Sequence, residues 1–310
     1  MTLASAPAWL WIVFTLVAAT AQTLRNASQR KLTEQLGTLG ATHVRFLYGL
    51  PFGLLALAVV WLTSKGLPVP NATSLLWTLA GAITQIIATA LMLAAMRERS
   101  FVVAVAYTKT EPLQVAVFAL IFLGEALSPV PLIAVTIATI GVVVMSWPPR
   151  ASGVAFTWRP VALGIASGSF FALSAVGFRG GITAMGASDY VAAATLTLVI
   201  ALAIQTVTFS AWLLFHDRQI LVGVLRTWRA SVPAGFLGAL ASLNWFLAFA
   251  LSSPAPVRTL GLIEVIFAGL ISGRLFKQTT SRREAAGIAI LMLGLLILVS
   301  GFGHSFGAGP

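Results

Sequence analysis

Three charged side chains stand in stretches that otherwise read as membrane interior. Lys109 and Glu111 lie in FVVAVAYTKTEPLQVAVFALIFLG, and Glu264 lies in GLIEVIFAGLISG. A charge at the bilayer centre costs at least about 2.5–3.5 kcal/mol on insertion scales, so it faces a partner or a wet cavity. Lys109 and Glu111 are two apart, a spacing that points side chains to different sides of a helix, so each needs a partner elsewhere. Pro112 has no N–H and leaves the Thr108 carbonyl without its helical donor, which predicts a kink and a polar break at the same level. A cation and carboxylates at one depth suit charge-assisted bonds to a carboxylate and an ammonium group. A carboxylate that loses its cation in one state can also take up a proton, a chemistry open to Glu111 and Glu264. The inert alternative is a buried ion pair that only fastens two parts of the chain together.

Neutral polar residues extend this set. Tyr107, Glu111 and Gln114 follow i, i+4, i+7 spacing and share one helix face. Gln22, Arg25, Asn26 and Gln29 form a similar stripe; Gln85 stands four residues before Thr89, and Asn244 stands next to Trp245. The expected binding set is therefore Gln22, Asn26, Gln85, Tyr107, Lys109, Glu111, Gln114, Asn244, Trp245 and Glu264, with Tyr107 and Trp245 as an apolar wall with a polar edge. The alternative for a single amide is glue between helices, at about 0.6 kcal/mol each. Arg45, at the start of an apolar run, reads as a side chain that snorkels to the interface, and the same alternative is open to Arg25.

The elements that must carry these residues follow from composition. The 310 residues are 58% hydrophobic and 9% charged, with a mean hydropathy of +0.96. A soluble domain carries about 25% charge. The chain thus reads as an all-α integral membrane protein in the lipid bilayer. It has no cysteine, and His43, His216 and His304 show no ligand spacing, so no metal and no cofactor are expected and clustered catalytic chemistry is disfavoured. The net charge of +11 sits in short loops between apolar runs, as membrane topology places it, so no nucleic-acid partner is expected. MTLASAPAWLWIVF lacks the basic region of a cleavable leader and reads as a retained first span.

At about 20 residues per crossing, ten spans are expected, near 8–29, 40–63, 73–95, 101–123, 129–147, 160–181, 190–214, 231–252, 256–275 and 284–302. Thirteen Lys and Arg fall in the odd-numbered loops, against Lys65, Arg179 and Arg258 on the other side. Basic residues collect in cytoplasmic loops, which places both termini outside the cytoplasm. A shift of 153 residues lays Glu111 on Glu264 and Gly141 on Gly294. Five spans per half then make residues 1–150 and 151–310 two inverted five-helix repeats, the layout in which many transporters hold substrate near the midplane. Ala134, Ala138, Gly141, Gly287 and Gly294 permit close helix approach, within the chain or to a second protomer, so monomer and homodimer both stay open. Trp9, Trp11, Trp147, Trp158 and Trp228 read as interfacial anchors.

EPLQVAVFALIFLGEALSPVPLIAVTIATIGVVVMS resembles the span 4 to span 5 signature of the drug/metabolite transporter superfamily, its EamA-type branch in particular. The matching features are Pro112, the LGEALS of residues 123–128 and Gly141. EVIFAGLISGRLFKQTTSRREAAGIAILMLGLLIL resembles a second copy, departing where Lys277 and Gln278 stand in place of Gly124 and Glu125. The resemblance implies a ten-helix secondary transporter of the inner membrane, with a central cavity between the repeats and a small-molecule substrate. Among its members the amino-acid and metabolite exporters, including aromatic amino-acid exporters, are nearest. From the residues themselves, exchange of phosphorylated metabolites is the second reading, since Lys109, Arg25 and Arg258 could bind an anion, although glutamates facing the same cavity disfavour one.

Overall fold

A backbone in hydrocarbon must satisfy its N–H and C=O groups within its own segment, and the chain answers with helices. The computed structural model describes residues 6–64, 66–98, 108–146, 158–267 and 282–307. In chain order the helices are α1 Leu10–Leu47, α2 Leu50–Thr63, α3 Ala72–Glu98, α4 Glu111–Leu123, α5 Pro129–Ser146 and α6 Trp158–Ala184. They continue as α7 Tyr190–His216, α8 Arg218–Arg226, α9 Trp228–Leu251, α10 Pro254–Leu260 and α11 Arg282–Gly307.

Four segments differ from expectation. A loop between 29 and 40 is corrected to a helix that runs on to Leu47, broken only at Gly37 (φ 67°, ψ −179°). The intervening RKLTEQL consists mostly of good helix formers, and Gly37 takes a conformation essentially closed to other residues. Gln29 Nε2 donates to the Ala41 carbonyl at 2.9 Å across this break. The kink expected inside span 4 is a break and a fresh start: Lys109 and Thr110 form a turn, and α4 begins at Glu111 with Pro112 in its first turn, where a missing N–H costs nothing. Span 9 is broken as well, since α10 ends before a turn at Gly261–Leu262 and helix resumes over 263–267. Finally, the HDRQ loop contains α8, capped by Asp217, whose Oδ1 accepts from Gln219 N at 3.1 Å and Ile220 N at 3.3 Å.

Packing is pairwise. α3 lies on α6, α1 on α9, α5 on α11, α2 on α7, and α4 against both α6 and α10. Gly141 and Gly294 bring α5 and α11 into backbone contact: a Cβ on Gly294 would lie 2.5 Å from Ala138 N and 2.9 Å from the Ala134 carbonyl oxygen. The small-residue stripe is thus used within the chain.

The surface is apolar, and charged and amide side chains lie inside, within an otherwise apolar core. Leu55, Leu62, Ile121, Val207 and Leu296 are exposed, while Arg25, Gln29, Arg45, Lys109, Glu111, Gln205 and Glu264 are buried. Five helical stretches among the described residues are long and apolar enough to cross a membrane, and 111–123, 129–144 and 285–300 are shorter apolar helices. An apolar surface enclosing buried charges belongs to a multi-pass membrane protein. Trp9, Trp158 and Trp228 are exposed as interfacial anchors would be, whereas Trp11 is corrected to a core residue, 3% exposed. Trp147 lies outside the described residues.

Candidate functional site

The two broken helices bring their charges together. Lys109, in the turn before α4, pairs with Glu264 beyond α10, and Arg258 of α10 pairs with Glu111 at the start of α4, Nε to Oε1 2.9 Å. Each half of the chain therefore gives one cation and one carboxylate to the other. The second oxygen of Glu264 accepts from Gln22 Nε2 at 2.8 Å, and Gln22 Oε1 accepts from Trp245 Nε1 at 3.0 Å. The Trp245 ring carries the Arg258 guanidinium 4.6 Å above its centroid, with Phe249 at 5.6 Å from the same group. Such cation–π contact holds a desolvated guanidinium flat on an aromatic face. Lys109, Glu264, Gln22, Trp245, Arg258 and Glu111 form one continuous polar chain through α1, α4, α9 and α10.

Two more arginines flank it. Arg25, 1% exposed, donates to Asn26 Oδ1 from Nε at 3.3 Å and from Nη2 at 2.7 Å. Arg45, 3% exposed, donates to Thr89 Oγ1 at 3.2 Å and Ser242 Oγ at 3.3 Å. Thr89 gives its own hydroxyl proton to the Gln85 carbonyl at 2.8 Å, which leaves its lone pairs to the guanidinium. Both arginine stems lie against Gly238, at 3.4 and 3.5 Å from where a Cβ would stand. Arg45 does not snorkel: it is fully inside the bundle, because α1 runs on past Gly37 and its last turn packs on α3 and α9. Arg258 is likewise buried, and Arg179 pairs with Glu125 at 2.9 Å and donates to the Ala250 carbonyl at 3.2 Å. Neither is the loop cation that the sequence suggests.

Between these groups lies a narrow pocket with room for about one water molecule, lined by Gln22, Arg45, Gln85, Phe171, Phe178, Ser242, Trp245, Phe246, Phe249 and Arg258. Of the expected residues, Gln22, Gln85 and Trp245 line it, and Lys109, Glu111 and Glu264 adjoin it through the ion pairs. Asn26 acts through Arg25. Gln114 donates to Thr110 Oγ1 at 3.2 Å and Asn244 to the Leu240 carbonyl at 2.8 Å, so both bond within their own segments and stand outside the pocket lining. Tyr107, Lys277 and Gln278 lie outside the described residues. Arg45, Phe178, Phe249, Ser242 and Gln205, which donates to Gln85 Oε1 at 2.9 Å, are absent from the expected set. The legible clue was Arg45 itself, since no acidic residue stands within four positions of it.

Fold and site together define a multi-pass helical membrane protein with an ion-paired polar centre. Residues 9–147, the first half of the described bundle, match the EamA-like transporter family. The match agrees with the resemblance to the drug/metabolite transporter superfamily. A protein of known crystal structure superimposes with a TM-score of 0.65 over 92% of this chain and 95% of its own, at 18% identity, which is a likeness of fold. No curated protein matches the chain in sequence.

Proposed function

We propose that the protein is a secondary transporter that moves small organic solutes, amino acids or related metabolites, out across the inner membrane by alternating access. Its moving parts are two inverted five-helix repeats, residues 1–150 and 151–310, with ten spans in all and both termini outside the cytoplasm. The reading is supported by the pattern of helix pairing. Exchanging α1 with α6, α2 with α7, α3 with α9, α4 with α10 and α5 with α11 turns the α1–α9 contact into the α6–α3 contact and maps the α2–α7, α4–α10 and α5–α11 contacts onto themselves. A two-fold relation between halves requires this symmetry.

The observation that carries the proposal is the reciprocal pair of bridges, Lys109 to Glu264 and Glu111 to Arg258, at two broken helices. Buried charges at helix breaks mark solute pathways in membrane bundles. The narrow pocket fits a closed state in which the bridges hold the halves together, and opening to either side separates those halves. A solute with charged ends exchanges a bridge for its own contacts, which links occupancy to movement. Reconstitution into proteoliposomes with a panel of radiolabelled solutes tests this. Saturable uptake driven by counterflow of the same solute is expected; flux that rises linearly with concentration and shows no counterflow would instead describe a channel.

A further inference from the structure

The charges of the polar centre do not balance. Lys109, Arg258, Arg25 and Arg45 bring four cations, and Glu111 and Glu264 bring two carboxylates, a surplus of two positive charges. The surplus does not depend on where the proton sits in the Lys109–Glu264 pair, since a transfer within the pair conserves its sum, and a guanidinium does not lose its proton in proteins. Among the described residues Arg25 and Arg45 form no ion pair; their partners are the neutral oxygens of Asn26, Thr89 and Ser242. Arg25 Nη1 and Arg45 Nε, both buried, have no hydrogen-bond acceptor. Leaving such donors unmade costs more than a neutral bond returns, and the two guanidinium groups also repel one another and Arg258. A fold built only for stability would replace them with apolar side chains.

The geometry points to an anionic substrate. A carboxylate or phosphate group of the solute binds Arg45, which lines the pocket, with the Arg25 guanidinium behind it across Gly238 adding its charge, and the apolar body lies along Trp245 and Phe178. Guanidinium groups recognise both oxyanions by charge-assisted, often bidentate bonds, and the Arg45 side of the pocket opens onto those aromatic rings. This inference rests on the transporter reading and narrows it to anionic members of the substrate class. Both carboxylates already hold a cation, Glu264 with Lys109 and Glu111 with Arg258, so an ammonium group must break a bridge to be bound, whereas an anion meets Arg45 without breaking one.

The test uses the purified full-length protein in detergent and four probes with one aromatic body and different charge: phenylpropionate, phenyl phosphate, phenylalanine and phenethylamine. Phenylpropionate or phenyl phosphate is expected to raise the melting temperature at millimolar concentration, and which of the two does so distinguishes a carboxylate from a phosphate site. Arg45→Met is expected to weaken that effect by at least about tenfold, the loss of one charged hydrogen-bonding partner. Because it removes an unbalanced charge, the same variant without ligand is expected to melt no lower than the parent. A purely structural Arg45 would lower the ligand-free melting temperature instead. An equal or larger shift from phenylalanine or phenethylamine, or no shift from either anion, overturns the inference. Flux in proteoliposomes separates this from the reading beneath it: neutral solutes carried without anion binding sink the anion site alone, and anion binding without any carried solute sinks transport alone.

Discussion

Lys109 and Glu264 each lie at a depth where neither would be stable without the other. Lys109→Met leaves Glu264 buried with only Gln22 for company, and breaking a buried pair in this way costs about 3–5 kcal/mol. The double variant Lys109→Met/Glu264→Gln removes both charges and keeps an oxygen for Gln22, so most of the loss is expected to return. Thermal melts of the purified variants measure this, and a double variant as unstable as the single one would show that the pair is not what stabilises the junction. The charges in apolar runs, Lys109, Glu111 and Glu264, were legible in the sequence because hydrocarbon forces a reason on each of them. Their partner Arg258 was not, because a cation just after SSPAP reads as a loop residue whenever the helix behind it is broken. Arg45 was misplaced for a related reason, since its depth depends on a helix that continues past the expected loop. Gln114 and Asn244 have the right spacing, but each has an acceptor within its own segment, and periodicity does not see local bonds.

The helices divide into those that composition defines and those that a single residue defines. α3, α6, α7 and α9 are long apolar runs, and their existence was plain from hydropathy. Gly37 sets the connection between the first two spans, where only its conformation separates one long helix from two. Gly37→Ala is expected to cost about 1–3 kcal/mol, the usual strain of a side chain at such a backbone position, seen as a lower melting temperature with the fold retained. Melting unchanged from the parent would mean that α1 bends there without need of glycine. The α5–α11 contact depends on Gly294 in another way, through space. Gly294→Val is expected to destabilise by about 1–3 kcal/mol or more through overpacking against Ala134 and Ala138. Gly124, which ends α4 in the left-handed region (φ 68°, ψ 12°) with nothing within 4 Å of where a Cβ would stand, separates the two effects. Asn tolerates that backbone, so Gly124→Asn is expected to leave the melting temperature close to the parent's.

Across the whole molecule, the proposed orientation rests on the basic residues and the proposed mechanism on the pairing of the helices. Arg179 and Arg258 are drawn into the bundle by Glu125 and Glu111, so they stand apart from the loop cations on which the proposed orientation rests. A reporter fused after Pro310 is expected to act outside the cytoplasm and one after Arg150 inside; the reverse pattern would invert the topology. The central claim is that the pocket beside Trp245 is reached alternately from the two sides of the membrane. The chain has no cysteine, so a single Phe171→Cys variant reports on that pocket without background. Its labelling by a membrane-impermeant maleimide, applied separately to each face of oriented vesicles, is the most direct measurement. The account predicts labelling from either face, slowed when a transported solute is present; labelling from neither face, or from one face alone under every condition, would contradict it.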